Sequence, residues 1–381
     1  MAASRPPLGG LSPQAFLRQF WQKRPLLVRQ AIPRFAGVLD KRALFTLASS
    51  EDAEARLIER RPKWRVTNGP LDRNALLRLP PRDWTLLVNG VNLHSSAADS
   101  LLRRFAFLSW ARLDDVMVSY AADGGGVGPH ADSYDVFLLQ GAGRRRWRLM
   151  PPGRQPFKLV EGAPLKLIEG FRASEEMTLD PGDMLYVPPG WGHEGTAIGP
   201  CETYSIGFRA PRGTELSSAF LDFLHERGFA ETGYRDADRK PAAHAARIDA
   251  SLIDHAARAL EKIRWTRADV ASFAGRYLSE PKQEVVFSAP RPALGRAAFT
   301  RKLGVATVRL DPRSRMLTHG TRVYLNGAEH EAKARARKAL QQLADARELS
   351  GELLARAGSA DLIFDWYRQG FLRLDRLPPT P

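Results

Sequence analysis

The spacing of apolar residues divides the chain into three stretches of different character. Up to about residue 110, helical and extended patterns are mixed. Ser12 and Pro13 precede Phe16, Leu17, Phe20 and Trp21, an N-cap and a first-turn proline ahead of apolar residues at helical spacing. The pattern predicts a helix over 11–21, a short strand at 23–29, helices at 40–47 and 50–58, a strand at 84–89 and a helix at 97–108. From about 111 the period falls to two. Extended runs at 115–120, 134–140, 144–149, 176–179, 184–187 and 203–208 are separated by Gly/Pro turns, and Gly141-Ala142-Gly143 reads as a hairpin turn between the second and third. Strands this short and this closely spaced predict a β-barrel or jelly roll, not alternating β/α units.

Beyond Pro211 the helical period returns at 214–227, 243–263 and 267–277. After Glu280-Pro281 come extended runs at 304–310 and 315–326, the latter turning at His319-Gly320. Helices at 329–346, 351–357 and 362–369 complete a small α+β unit. No internal repeat is visible.

At 381 residues and 44% hydrophobic content, the chain is long enough for two or three domains with cores of their own. No run of about 18 apolar residues could span a bilayer, and Met1–Gly10 has no apolar signal core. No membrane association is expected. The single cysteine, Cys201, excludes a disulfide framework and a multi-cysteine zinc site, and makes a cytoplasmic setting the default. The net charge of +15 admits nucleic-acid or ribonucleoprotein surroundings, although the basic residues are scattered and mostly arginine.

The candidate chemistry lies in Gly124-Gly125-Gly126-Val127-Gly128-Pro129-His130-Ala131-Asp132, too rich in glycine for a regular strand. In extended chain, residues i and i+2 point the same way, so His130 and Asp132 can face one metal while Ala131 turns elsewhere. A second histidine follows 63 positions later, in Pro188-Pro189-Gly190-Trp191-Gly192-His193-Glu194. Two imidazoles and one carboxylate on one side of a metal leave positions open, the arrangement of non-haem iron(II) oxygenases. Within the basic run 144–148, Arg145 alone shares strand phase with Trp147 and Leu149, so it faces inward while Arg144, Arg146 and Arg148 face solvent. A buried arginine calls for an anion: either a dicarboxylate, which suits a guanidinium, or an acidic residue nearby.

These three segments, the glycine loop through Asp132-Ser133-Tyr134-Asp135-Val136-Phe137, the run Gln140 to Trp147, and Pro188 to Gly195, together resemble the bacterial ribosomal oxygenases of the JmjC-type cupin group. That family consists of Fe(II)- and 2-oxoglutarate-dependent hydroxylases that modify an arginine of a large-subunit ribosomal protein. The match is densest from about 110 to 212. The resemblance implies an α+β chain with a double-stranded β-helix (jelly roll) of the JmjC/cupin type and N-terminal helices over 1–212. A helical dimerisation segment over 213–280 and a C-terminal winged-helix-like domain over 281–381 would follow. It implies His130, Asp132 and His193 as iron ligands, and Ser119 and Arg145 as 2-oxoglutarate-binding residues, with O2 as the second co-substrate. The implied partners are a large-subunit ribosomal protein as substrate and a second copy of the chain, with no direct nucleic-acid binding.

The alternatives are a JmjC-type hydroxylase or demethylase with another protein target, or a non-enzymatic metal-binding cupin or RNA-binding module whose basic surface is the working part. Among the remaining polar residues, His94, His225, His244, His255, His319 and His330 read as solvated. Asp135 and Glu194 either meet a cationic substrate or cap turns, and Tyr134 and Trp191 either wall the pocket or pack.

Overall fold

The computed structural model describes residues 6–228, 233–237, 239–241 and 244–376. Met1 to Arg5, part of the N-terminal segment, and residue 243, where a helix is predicted to begin, lie outside the described residues. The helix predicted over 243–263 begins only at Ala250, since His244 to Asp249 are turns and irregular chain. The first part runs α1 (Pro13–Gln19), β1 (Leu26–Val28), α2 (Lys41–Ala48), β2 (Ala55–Glu59), β3 (Arg65–Asn68), α3 (Arg73–Leu77), β4 (Trp84–Val88), α4 (Val91–His94) and α5 (Ser96–Arg103). Strands then follow closely: β5 (Leu113–Ala121), β6 (His130–Ala131), β7 (Val136–Gln140), β8 (Arg144–Met150), β9 (Glu175–Leu179), β10 (Met184–Val187), β11 (Gly192–Ile198) and β12 (Cys201–Phe208). Helices α6 (Gly213–Glu226), α7 (Ala250–Glu261) and α8 (Arg267–Ser279) lead to the C-terminal unit. That unit holds α9 (Arg296–Leu303), β13 (Ala306–Leu310), β14 (Met316–His319), β15 (Arg322–Leu325), β16 (Ala328–Glu331), α10 (Ala334–Ala346), β17 (Glu348–Ser350), α11 (Gly351–Arg356), α12 (Ala360–Arg368) and β18 (Leu372–Arg376).

Two antiparallel sheets face each other as a jelly roll. The larger has the order β1-β10-β7-β12-β5-β4-β2-β3 and the smaller β6-β11-β8-β9. The larger sheet buries apolar side chains on both faces for different reasons. Its outward side chains, among them Val116, Val118, Phe137, Tyr186, Tyr204 and Ile206, form one core with α1, α2 and α5. Its inward Val136, Leu138, Leu185 and Val187 meet Trp147, Leu149 and Leu179 of the smaller sheet. The two faces follow from the period of two. Ser12 caps α1 as its sequence predicts, accepting from the Ala15 N–H at 3.1 Å.

Three further expectations fail. The stretch 50–58 is not helical: it leads into β2, which pairs with both β3 and β4. Membership of the sheet outweighs local helical spacing there. Strands β7 and β8 are not a hairpin. Strand β7 lies between β10 and β12, whereas β8 lies between β11 and β9, so Gly141-Ala142-Gly143 carries the chain from one sheet to the other. The helix predicted over 329–346 begins only at Ala334, because Ala328–Glu331 is β16, paired with β15.

Helices α6 and α8 share a small core of Phe223, Leu224 and Phe273, while α7 buries no residue. The C-terminal unit has its own core, including Phe299, Leu340, Ile363 and Trp366, under the sheets β17-β13-β18 and β14-β15-β16. Among the described residues no helix is long and apolar enough to cross a membrane.

Phe16 ties α1 to the large sheet. Its ring is fully buried and lies 5.0–6.3 Å, centroid to centroid, from Phe20, Trp21, Phe107, Phe137 and Tyr186. Phe16→Ala is expected to lower the unfolding free energy by about 3–5 kcal/mol, measured as a fall in the urea midpoint at unchanged slope.

Candidate metal and co-substrate site

The glycine loop is held by backbone pairing to the small sheet. The Gly124 N–H donates to the Ala197 carbonyl at 3.1 Å, and the Ala197 N–H donates to the Gly125 carbonyl at 2.9 Å. A Cβ on Gly126 would fall 2.3 Å from the Gly195 carbonyl oxygen, so no other residue lets the loop lie this close to β11. The loop delivers β6, whose two residues pair with β11 so that His130 stands opposite His193.

His130, Asp132 and His193 therefore converge, with candidate ligand atoms all within 4.8 Å of one another. The imidazole rings are 4.2 Å apart, and His193 Nε2 is 3.6 Å from Asp132 Oδ2. Each histidine has a carbonyl two residues back beside Nδ1: Gly128 O at 2.9 Å for His130 and Trp191 O at 3.1 Å for His193. A carbonyl accepts only, so Nδ1 carries the proton and Nε2 keeps its lone pair for a metal. Burial, and then the neighbouring His130, push the His193 imidazolium down to about 4. At neutral pH His193 is ready to ligate without releasing a proton.

Deeper in the barrel, Arg145 is 3% exposed on the inward face of β8. Its Nε and Nη2 are buried and meet no acceptor among the described residues. The internal acidic partner considered from sequence is absent there. Arg144 and Arg146 are exposed, as their phase predicts. Arg148 is only half exposed and pairs with Glu194. Ser119 is buried on the inward face of β5, in a row with Thr203 and Gln140. Its Oγ lies 3.5 Å from the Thr203 carbonyl, and Thr203 Oγ1 donates to Gln140 Oε1 at 3.1 Å.

Other candidates fall elsewhere. Asp135 is fully buried and accepts from Tyr186 Oη at 2.7 Å and Gln22 Nε2 at 3.0 Å, so it fastens the N-terminal segment and meets no substrate. Glu194 is buried against Arg148 on the outward face of the small sheet. His330 is not solvated but half-buried beside Trp366, and burial lowers its pKa. Tyr134, 40% exposed, stands at the rim, where partial burial and then Asp132 raise its phenol pKa.

Sequence reasoning missed Thr203 and Gln140, which carry no motif. It also missed Arg56, which pairs across Leu87 with the row of Ser119 and has no ion-pair partner among the described residues. Arg56 fell within the stretch misread as helix.

The JmjC domain family matches residues 100–216, and the ROXA-like winged helix family matches residues 262–373. The ribosomal protein uL16 3-hydroxylase of Escherichia coli (strain K12) is 34% identical over 343 residues, covering 88% of this chain and 90% of that protein. The chain belongs to the JmjC ribosomal oxygenases. The probable ribosomal oxygenase of Haemophilus influenzae is 37% identical over 212 residues, 54% of this chain and 52% of that one. The crystal structure of E. coli YcfD superposes with a TM-score of 0.82 at 31% identity, over 96% of this chain and 99% of that one. YcfD in complex with cobalt and 2-oxoglutarate superposes with a TM-score of 0.80 at 30% identity, over 96% and 98%.

As a ribosomal oxygenase of this kind the protein is a 2-oxoglutarate-dependent hydroxylase. The residues present fit its cofactors. Two imidazoles and a carboxylate suit Fe(II), and an inward guanidinium with unmet donors suits a dicarboxylate.

The depressed His193 pKa has a stability consequence. The unfolded chain takes up a proton at this residue below about pH 6.5, whereas the folded chain resists it down to about 4. The metal-free protein is thus expected to lose about 3 kcal/mol as pH falls from about 6.5 through 4. Urea unfolding in the presence of a chelator measures this, and His193→Gln is expected to flatten the dependence in that window.

Proposed function

We propose that the protein hydroxylates an arginine of a large-subunit ribosomal protein in the cytoplasm, with Fe(II) held by His130, Asp132 and His193. Arg145 and Ser119 would hold 2-oxoglutarate. The observation that carries the reading is the coincidence, inside one barrel, of a metal-ready triad and a buried arginine lacking an anion. The substrate class rests on the names of relatives, above all the uL16 3-hydroxylase of E. coli.

When bound, Fe(II), 2-oxoglutarate and O2 supply the oxidising power: one oxygen atom enters a substrate C–H bond and the other leaves in succinate, with loss of CO2. The chain's own part is placement. The Gly128 and Trp191 carbonyls fix both imidazoles with Nε2 toward the metal. Arg145 fixes the far end of the keto acid by a charge-assisted pair in a site closed to water. The buried cluster of Leu138, Leu149 and Leu185 with Trp147 helps keep the barrel interior dry.

The domain division at 212 and 280 accords with the change from strands to helices and with the separate C-terminal core. Dimerisation through the helical segment is supported by α7, which leaves Leu252, Ile253 and Leu260 exposed on an amphipathic helix.

Arg145→Ala is expected to raise the 2-oxoglutarate concentration needed for half-maximal turnover about ten-fold or more, while Fe(II) affinity stays unchanged. Normal turnover at limiting co-substrate would remove Arg145 from the site. Intact-mass analysis of large-subunit proteins from cells lacking the gene product is expected to show one protein short of a single oxygen, mapped to an arginine. A methyl group retained in those cells would instead indicate demethylation.

A further inference from the structure

The middle of the barrel holds a donor that the triad, Arg145 and Ser119 leave unused. Strands β8 and β11 pair so that Leu149 faces His193, Trp147 faces Gly195 and Arg145 faces Ala197. At about 3.4 Å per residue, the metal end and the arginine lie roughly 13 Å apart along the strand. Trp147 stands midway between them on the same inward face.

The ring is close to both ends. Its centroid is 6.0 Å from that of His193 and 5.9 Å from the Arg145 guanidinium carbon. Its benzo edge lies on the backbone of Gly195, where a Cβ would fall 2.8–3.0 Å from Cη2, Cζ3 and Cζ2. Gly195 is therefore the residue that lets the indole fill this level. The indole Nε1 is buried with no acceptor among the described residues. An indole N–H can only donate, and a buried donor left unmade is costly.

Burial alone does not mark a site, since Trp366 Nε1 is also without an acceptor, in the C-terminal core. What sets Trp147 apart is its place. A five-carbon dicarboxylate reaching from the triad to Arg145 must pass the level of this ring.

We propose that the Trp147 indole N–H is a further hydrogen-bond donor to 2-oxoglutarate, made possible by the missing side chain at Gly195. This rests on the placement of the co-substrate between the triad and Arg145 given above. The residue then touches the co-substrate directly, and its ring also closes the space between guanidinium and metal to water.

The test is binding, without turnover. The protein is labelled with 15N at the tryptophan indoles, loaded with redox-inert Zn(II) and titrated with 2-oxoglutarate. Trp147→Phe keeps the six-membered ring, removes the donor and identifies the Trp147 cross-peak by its loss. Arg145→Ala is titrated in parallel.

The expected result is a downfield shift of the Trp147 indole proton on saturation. It is accompanied by 2-oxoglutarate affinity about ten-fold weaker in Trp147→Phe, with Zn(II) affinity unchanged. An unmoved cross-peak, or a Trp147→Phe affinity equal to wild type while Arg145→Ala is weakened, overturns this inference alone. Unchanged affinity in Arg145→Ala overturns the co-substrate placement, and this inference with it. Should Trp147→Phe fail to fold, the wild-type titration decides, with the cross-peak assigned through bonds.

Discussion

The pairing register between β8 and β11 is the constraint on which the site depends. Seven consecutive residue pairs, from Gly192–Met150 to Ile198–Arg144, set the small sheet. Side chains alternate with period two, so a slip of one residue would turn Arg145, Trp147 and Leu149 outward and bring Arg144, Arg146 and Arg148 into the barrel. Three guanidiniums cannot be buried there without three anions. The apolar inward set and the exposed arginines therefore enforce the same register from opposite sides. The same strand β11, through His193 opposite His130, also fixes the third corner of the triad.

The site combines two unfavourable burials that the proposed ligands would convert into binding. Two imidazoles 4.2 Å apart cannot both be protonated cheaply, so the fold keeps His193 neutral and its lone pair available. A guanidinium with two unmet donors is likewise costly to bury, a cost that the proposed co-substrate carboxylate would offset. Both costs are met by folding energy from elsewhere, chiefly the aromatic core on the outward face of the large sheet. The outward face carries Phe137 and Tyr186, against which Phe16 and Phe105 pack, while the inward face carries Ser119, Thr203 and Gln140.

Much of this was legible in the order of residues, because it depends on period and on local chemistry. The His-x-Asp pair, the distant His193 and the inward phase of Arg145 need only strand alternation. What was hidden depends on partners remote in sequence. Residues 55–59 become a strand because β3 and β4 flank them, and nothing local announces that. Gly141-Ala142-Gly143 looks like a hairpin turn, yet β7 and β8 find different neighbours, and a turn residue does not specify which sheet the next strand joins. Asp135 and Glu194 lie beside the metal motif in sequence but face away from it, since each falls on the wrong strand phase for the interior. Proximity along the chain misled where phase would have decided.

The C-terminal unit is fastened to the foot of the strand that carries Ser119. Lys282 Nζ lies 2.6 Å from Asp115 Oδ2, which also accepts the Gly90 N–H at 2.9 Å. Arg315 donates to the Leu113 carbonyl at 2.9 Å, and Trp110 Nε1 donates to the Asp345 carbonyl at 3.3 Å. Burial pulls Arg315 down to about 9 and Arg347 to about 10, so both remain cationic at neutral pH while enclosed at the junction. Breaking one partner of such a buried set leaves a charge without compensation, at a cost of about 3–5 kcal/mol. A tethered appendage would need none of these contacts. Their concentration at residues 110–115 fixes the orientation of the C-terminal unit relative to β5, and makes the position of that strand a property of the whole chain.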